Sequence, residues 1–161
     1  MGIYGGGRHS MDRFRGHSGH TIDPKGRIII PVRFRQVLVK KGGEGLMVSS
    51  LDGALKAYPY DKWAEVENTI LAQSKKSEAM RRFRRVFIGG AVDCQWDKQG
   101  RILIPPELRV YARLEKDIVL AGAVDHFEIW DRERWEAENR LMVEEDMNKE
   151  EVRNEIAELG L

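Results

Sequence analysis

The chain has 161 residues, 42% of them hydrophobic and 33% charged, and its 27 Lys and Arg nearly balance its 26 Asp and Glu, leaving a net charge of +1. This length and apolar content suffice for one domain or for two halves of roughly 70 to 80 residues, and they exclude a wholly disordered chain. The single cysteine excludes an intrachain disulfide, and no apolar run approaches the roughly 20 residues that cross a bilayer. We therefore expect a soluble, cytoplasmic protein without a membrane segment.

Charge is distributed unevenly along the chain. Met1 to Gly90 carry 17 Lys and Arg against 8 Asp and Glu, a net charge of +9, whereas Ala91 to Leu161 carry 10 against 18, a net charge of −8. A basic half attracts polyanions, while an acidic segment is more often a solvated face or a contact for another subunit. The first half is therefore the better candidate for contact with nucleic acid.

The first half predicts short strands, a short helix and a strand pair. Ile28 to Ile30 lies between a glycine turn and a proline, which is typical of a short strand, and residues 31–40 suit a short helix that begins with proline. Residues 46–48 and 55–58 are predicted to form two strands around an Asp-Gly turn.

Two amphipathic helices are predicted over residues 61–89. Apolar residues recur every three or four positions in each, first at Trp63, Val66 and Ile70 and then at Met80, Phe83 and Phe87. The second helix is also strongly basic, with arginines at positions 81, 82, 84 and 85. These arginines could follow DNA phosphates, or they could form a solvated face or pair with an acidic neighbour.

The second half repeats the first. Residues 97–109 match residues 23–35 in their Asp, Gly, Arg, apolar triplet, Pro and final Arg, and residues 127–135 match residues 55–63. Strands are expected at residues 102–104, 118–120 and 127–130, and a short helix at residues 106–114. Such a repeat indicates a duplicated structural unit, and because a small β unit is marginal alone, it predicts an intramolecular pseudo-dimer.

From Asp131 to Leu161 the chain is predicted to be helical. Val152, Ile156 and Leu159 recur at helical spacing, and acidic residues outnumber basic ones in this segment. We expect this helix to be available to a neighbouring subunit.

An Asp-x-x-Gly-Arg turn is the candidate functional site in each copy. It combines a turn-forming Asp, a Gly that tolerates positive φ and an Arg at the start of a strand. These residues are Asp23, Gly26 and Arg27 in the first copy and Asp97, Gly100 and Arg101 in the second. A guanidinium suits phosphates and guanine edges because its planar fork donates two parallel hydrogen bonds. The alternative is that each Asp only closes its turn and pairs with its own Arg.

Nearby cations favour the functional interpretation of these turns. The candidate DNA-contacting cations are Arg13, Arg15 and Lys25 in the first copy and Lys98 in the second. Gln99 stands where the first copy has Lys25, so the second turn could bind more weakly or read a different sequence. The three histidines at positions 9, 17 and 20 are not expected to bind metal, because no cysteine lies near them.

Phe14-Arg15-Gly16 and the two Asp-x-x-Gly-Arg turns resemble the MraZ family, bacterial transcriptional regulators with tandem SpoVT/AbrB-like domains. The resemblance covers about residues 14–135. It implies an α+β, mainly β fold, a tandem AbrB-like swapped-hairpin (double-split) β-barrel pseudo-dimer with flanking helices. The implied divisions are a flexible extension at residues 1–12, a first repeat at 13–60, connecting helices at 61–89, a second repeat at 90–133 and an acidic helix at 134–161. Met1 and Met11 are both candidates for the natural start.

The resemblance also implies a function. Proteins of this family bind short repeated DNA sequences upstream of the division and cell-wall gene cluster that includes their own gene, and they do so as ring-shaped homo-oligomers. The family's DNA contacts carry over to Asp23 and Arg27, and also to Asp97 and Arg101. A cytoplasmic, nucleoid-associated regulator with no catalytic activity, cofactor, metal or small-molecule substrate is expected. The alternative is an antitoxin-like protein-interaction module of AbrB fold whose turns are purely structural.

Overall fold

The computed structural model describes residues 13–73 and 77–161. Within them the chain divides into two compact units, one ending at Asp131 and the other formed by Arg132 to Leu161. The expected N-terminal extension, with Met11 and His9, lies outside the described residues. None of the helices in the part that is described is both long and apolar enough to span a membrane.

The predicted strands and helices of both copies are present in the first unit. The first repeat contains β1 (His17–Thr21), β2 (Arg27–Ile29), α1 (Val32–Lys40), β3 (Gly45–Leu51) and β4 (Ala54–Tyr58). Two connecting helices follow, α2 (Tyr60–Gln73) and α3 (Glu78–Phe87). The second repeat contains β5 (Val92–Gln95), β6 (Arg101–Leu103), α4 (Pro106–Ala112), β7 (Asp117–Gly122) and β8 (Phe127–Asp131).

The strands of the two repeats interleave in one antiparallel sheet of six strands. Its order is β1-β7-β8-β4-β3-β5, so the first strand of each repeat pairs with the third strand of the other. The two pairings have the same register, because His20 lies opposite Ile118 while its counterpart in the repeat, Cys94, lies opposite Leu46. This reciprocal exchange confirms the predicted pseudo-dimer and its mainly β, α+β class.

The sheet differs from the expectation in one respect, because the described strands do not close into a barrel. β2 and β6 form a separate two-stranded antiparallel ribbon, and β1 and β5 remain at the edges of the larger sheet. Each ribbon strand has three residues and is followed closely by a proline, Pro31 or Pro105. Proline cannot donate a ladder hydrogen bond, so the ribbon strands stay too short to join the larger sheet.

A pseudo-twofold axis passes through the ribbon and between the two central strands, β4 and β8. Ile28 lies opposite Ile102, and Lys56 lies opposite Glu128, so each residue faces its own counterpart in the other repeat. The Lys56 Nζ donates a hydrogen bond to the Glu128 carboxylate, and the two side chains are only 11% and 17% exposed. A dimer of identical repeats would place two like charges here, and the divergence of the copies allows a buried ion pair instead.

The main core fills the space between the ribbon, α1, α4 and one face of the sheet. Its centre is an aromatic cluster of Phe14, Phe34 and Phe127, with ring centroids 4.8 to 5.4 Å apart. Each of these rings is at most 1% exposed, and together they join both repeats. The core is therefore shared, so neither repeat has a complete core of its own.

The connecting helices α2 and α3 cover the opposite face of the sheet. Leu46 and Val48 of β3 point into the main core, while Met47 and Leu51, at alternate positions, pack in a second cluster around Tyr58, Trp63 and Phe87. The Ser49 hydroxyl donates to the Phe87 carbonyl at 2.6 Å. This cluster confirms the predicted apolar faces of both helices except at Met80, which is 38% exposed because it lies in the first turn of α3 and outside the cluster.

The second unit consists of interrupted helix rather than the continuous helix that the spacing suggested. α5 (Arg132–Arg140) runs into a π-helical turn, Leu141–Glu145, and a short 3-10 turn, Asp146–Asn148, before α6 (Glu150–Glu158). Lys149 is extended, and the Asn148 side chain donates to the Glu144 carbonyl at 2.6 Å. Such a side-chain bond competes with the backbone bonds that would continue the helix.

Candidate nucleic-acid interface

Each Asp-x-x-Gly-Arg segment folds into a tight turn that its own Asp closes. The Asp23 Oδ1 accepts hydrogen bonds from the backbone N–H groups of Lys25 and Arg27, at 3.0 and 2.8 Å. The Gly26 N–H donates to the Asp23 carbonyl at 2.9 Å, and Gly26 adopts a φ of 91°, which favours glycine. Asp23 therefore closes the turn through its side chain.

The second turn has the same geometry. The Asp97 Oδ1 accepts from the N–H groups of Gln99 and Arg101, at 2.9 and 3.0 Å, and Gly100 adopts a φ of 77°. The replacement of lysine by Gln99 leaves the turn unchanged, because position 99 contributes its backbone N–H and not its side chain. The two turns thus have the same shape and the same number of charges, and they differ in the position of the lysine, at 25 in the first and at 98 in the second.

The second oxygen of each carboxylate holds the neighbouring arginine in place. The Arg27 Nε donates to Asp23 Oδ2 at 2.6 Å, and the Arg101 Nε donates to Asp97 Oδ2 at 2.9 Å. The backbone hydrogen bond from the arginine, followed by the hydrogen bond from its side chain, lowers the pKa of both Asp carboxyls below their ordinary value. Both carboxylates are therefore ionised at neutral pH, and each acts through its arginine.

This arrangement leaves the ends of the two guanidinium groups available. Within residues 13–73 and 77–161, the terminal nitrogens of Arg27 and Arg101 have no hydrogen-bond partner, and the two side chains are 33% and 27% exposed. A guanidinium held through Nε keeps two parallel donors in a fixed plane. This is the geometry needed to bind a phosphate or the O6 and N7 atoms of guanine.

The two arginines lie on one face of the ribbon. Ile28 and Ile102 face the core and are completely buried, so the alternation of a strand places their neighbours on the outer face. In that face Arg27 lies opposite Leu103, and Ile29 lies opposite Arg101. The two arginine Cα atoms are diagonal neighbours, about 7–8 Å apart. A two-stranded ribbon of this kind fits the major groove of DNA.

Each turn also contacts an arginine of the other repeat, which the sequence analysis did not assign to the site. The Arg35 Nε donates to the Ile30 carbonyl at 3.0 Å, and a methyl group on Gly100 would lie 2.9 Å from Arg35 Cζ. Arg109 donates to the equivalent carbonyl at 3.0 Å and lies in the same way against Gly26. Arg35 and Arg109 are the last matched residues of the two repeats. The match alone does not reveal that each side chain packs against the turn of the other repeat.

The structure groups only some of the predicted cations. Lys25 and Lys98 are exposed on the two turns, beside the ribbon. Arg13 and Arg15 flank Phe14, which exchanges backbone hydrogen bonds with Val124 at the other end of β1. Because β1 has five residues, each rising about 3.3 Å, that end is more than ~13 Å from the first turn.

The arginines of α3 belong to a different surface from the ribbon. α3 packs through Phe83 and Phe87 on the sheet face opposite the main core. Arg81 and Arg82 are more than half exposed and approach Glu78 only at 3.9 and 3.8 Å. A DNA duplex held by the ribbon would therefore not meet these two arginines of the same chain.

Other chemistry-bearing residues do not form a site in the part of the chain that is described. No group of three His, Cys, Asp or Glu side chains there is placed to hold a metal ion. His20 contacts Ser18 at 2.7 Å, and burial followed by the charge of Arg33 lowers its pKa. Burial raises the pKa of the Cys94 thiol to about 12, so this thiol is neutral and a poor nucleophile.

Comparison with known proteins gives a consistent assignment. A family model described as "MraZ protein, putative antitoxin-like" matches the chain twice, over residues 13–86 and 87–154. The protein named Transcriptional regulator MraZ of Desulforapulum autotrophicum is 60% identical over 148 residues, which are 92% of this chain and 99% of that protein. The protein of the same name from Desulfosudis oleivorans is 53% identical over 149 residues, with the same coverage of 92% and 99%. The chain therefore belongs to the MraZ family.

Proposed function

We propose that this member of the MraZ family is a sequence-specific DNA-binding transcriptional regulator without catalytic activity. The observation that carries the proposal is the outer face of the ribbon, where Arg27 and Arg101 are fixed by their Asp partners and keep their terminal donors for a ligand. The names of the relatives, which are transcriptional regulators, support the same class of function.

In the proposed complex the ribbon enters the major groove and its two arginines contact guanine. Each bidentate contact contributes about 1–3 kcal/mol of discrimination against a wrong base. Asp23 and Asp97 position these arginines, and the backbone at Gly26 and Gly100 allows the tight turns.

A second group of cations supplies contacts that do not depend on sequence. Lys25 and Lys98 neutralise phosphates beside the ribbon, and the terminal nitrogens of Arg35 and Arg109 extend the same surface. Arg13 and Arg15, at the far end of β1, would reach only phosphates farther along the duplex.

One ribbon reads very little DNA, and this predicts an assembly of several copies. An arginine separation of about 7–8 Å spans about two base pairs of 3.4 Å each. Such a contact binds weakly unless other contacts raise its effective concentration. We therefore propose a homo-oligomeric ring that acts in the cytoplasm, at the nucleoid, on short repeated motifs upstream of the division and cell-wall gene cluster that includes its own gene.

The test is a gel-shift titration with the duplex upstream of the gene, combined with light-scattering mass after size exclusion. Arg27→Ala is expected to abolish binding and leave the mass of the free protein unchanged. Arg82→Ala is the matched control, because it removes an exposed arginine on the opposite sheet face, and it should bind like the wild type. If Arg27→Ala retains affinity, or if both variants lose it equally, the ribbon is not the DNA-binding site.

A second candidate is a protein-interaction module, and two observations favour it. The family description includes the words "putative antitoxin-like", and the C-terminal unit exposes apolar side chains, among them Val143 at 70% and Leu159 at 74%. The same size-exclusion experiment separates the two functions. A mass that rises only when the duplex is added supports the regulator, and a wild-type chain that ignores DNA supports the module.

A further inference from the structure

The outer face of the ribbon presents two apolar side chains that hydrogen bonding to DNA does not explain. Ile29 is 57% exposed and Leu103 is 55% exposed, although both belong to strands whose other side is completely buried. They occupy the same position in the two repeats, two residues after the arginine of each turn. Neither contributes to the core, so the position is free to serve a ligand.

These side chains lie immediately beside the arginines that the ribbon presents. Ile29 is the cross-strand partner of Arg101, and Leu103 is the cross-strand partner of Arg27. Directly opposed residues of an antiparallel pair have Cα atoms about 4.5–5.5 Å apart. A ligand that is bound by the guanidinium groups therefore also meets Ile29 and Leu103.

The charge around the pair favours a polyanion over an apolar protein surface. Each end of the ribbon brings together three cations, Lys25, Arg27 and Arg109 at one end and Lys98, Arg101 and Arg35 at the other. The carboxylates of the two turns, Asp23 and Asp97, are already engaged by backbone N–H groups of those turns. An apolar partner would remove these guanidinium groups from water without replacing their hydrogen bonds, which is unfavourable.

The major groove offers one apolar group on its base edges, the 5-methyl group of thymine. We propose that Ile29 and Leu103 pack against thymine methyl groups within one or two base pairs of the guanines bound by Arg101 and Arg27. The ribbon then reads two kinds of base, guanine through its arginines and thymine through its apolar side chains. This inference rests on the proposed DNA-binding function.

The inference is tested with a duplex that the full-length wild-type protein selects from a random-sequence library. The duplex is made again with deoxyuridine in place of thymine, which removes only the methyl groups. The wild type is expected to bind the deoxyuridine duplex about fourfold more weakly for each methyl group that is buried. Ile29→Ser and Leu103→Ser should each reduce this ratio toward one. Because no phosphate contact is removed, the salt dependence of binding should not change.

The control variant is Val39→Ser, which removes another side chain that is more than half exposed, this time on α1. It should keep the wild-type preference for thymine. Thermal unfolding followed by circular dichroism is expected to be the same for all three variants, since the altered side chains lie outside the core.

The outcomes separate this inference from the function on which it rests. If the wild type binds both duplexes equally and Arg27→Ala still abolishes binding, the ribbon binds DNA but does not read thymine methyl groups. If the wild type binds the thymine and deoxyuridine duplexes equally and bends them strongly, Ile29 and Leu103 insert between base pairs, which also overturns the inference. A loss of oligomer mass in Ile29→Ser with an unchanged thymine preference would assign the apolar pair to a contact between copies. If no duplex is enriched in the selection, both the inference and the proposed function are wrong.

Discussion

The two repeats share one backbone frame and differ in the side chains that they place on it. Their edge-strand pairings have equal registers, and corresponding hydrogen bonds of the two turns agree within 0.3 Å. Yet Lys25 corresponds to Gln99 and Lys56 to Glu128, and the two hairpins turn differently. The backbone is the same in both repeats because each supplies strands and core residues to the other. Surface charges and hairpin loops are not under this constraint and differ.

The charges of the two repeats are also less opposed than the totals of +9 and −8 for the two halves of the chain suggest. Ala91 to Asp131 carry 5 basic and 8 acidic residues, a net charge of −3, and Arg132 to Leu161 carry 5 and 10, a net charge of −5. Most of the acidity therefore lies in the C-terminal unit and not in the second repeat. Both turns can present cations to DNA, because each carries one lysine and one arginine.

The largest effect is expected at the pair on the pseudo-twofold axis. Glu128→Lys would place two lysines opposite each other where the side chains are only 11% and 17% exposed. Removing one partner of such a pair leaves an uncompensated charge, so the free energy of unfolding in urea should fall by about 3 kcal/mol. The exchange variant with both Lys56→Glu and Glu128→Lys should recover most of this loss. If Glu128→Lys is as stable as the wild type, the Lys56–Glu128 ion pair does not stabilise the contact between the two repeats.

The two turn glycines are expected to differ in their tolerance of a side chain. A methyl group on Gly26 would lie 2.9 Å from the Ile104 carbonyl oxygen as well as against Arg109, whereas the nearest atoms to one on Gly100 all belong to the flexible Arg35 side chain. Both positions have positive φ, which costs an alanine about 1–2 kcal/mol. Gly26→Ala should therefore lower the unfolding free energy by about 2–3 kcal/mol and Gly100→Ala by about 1–2 kcal/mol. If both variants lose the same unfolding free energy, the contact with the Ile104 carbonyl oxygen does not make Gly26 less tolerant than Gly100.

The two hairpins differ in strain. The first turns through Asp52 and Gly53 with φ of 59° and 78°, residues that suit the left-handed region. The second places Val124 at φ 73°, in a tight turn closed by the Asp125 N–H donating to the Ala123 carbonyl at 3.0 Å. Val124→Asn should raise the unfolding free energy by about 1 kcal/mol, because a β-branched residue is strained there. Asp52→Asn serves as the control and should lower the unfolding free energy by no more than about 1 kcal/mol, because it removes only the exposed carboxylate that lies 3.7 Å from Lys56. A destabilised Val124→Asn would indicate that the valine is held by contacts rather than strained.

The smallest effect concerns position 25 of the first turn and position 99 of the second, where lysine corresponds to glutamine. Lys25→Gln is expected to lower affinity for all DNA sequences equally and to reduce the slope of log K against log salt by about 0.9, and Gln99→Lys should increase it by about the same amount. Binding titrations at several salt concentrations measure both. A change in sequence preference would show instead that position 25 or 99 contacts bases.

Much of the local structure followed from residue patterns, and the exceptions have physical causes. The ribbon strands were predicted because each apolar triplet lies between a glycine turn and a proline, and the connecting helices because their apolar residues recur at helical spacing. β1 and β5 were not located, because His17–Thr21 and Val92–Gln95 are mostly polar and half-exposed edge strands. The break between α5 and α6 was missed because the apolar spacing does not reveal it, and the Asn148 side chain there donates to the Glu144 carbonyl in competition with helical backbone bonds.

The two turns follow from local sequence, since Asp, Gly and Arg act on one another within five residues and their hydrogen bonds are local. The duplication that places such a turn in each half is also visible in the sequence. The residues that surround each turn, in contrast, are set by the packing of distant segments. Arg35 reaches Gly100, far along the chain, while Arg13 and Arg15, close in sequence, are carried away by β1. The same pairing of distant strands brings Arg27 and Arg101 onto one ribbon face. Strand pairing depends on burying both repeats in one shared core, and no local pattern of residues specifies that.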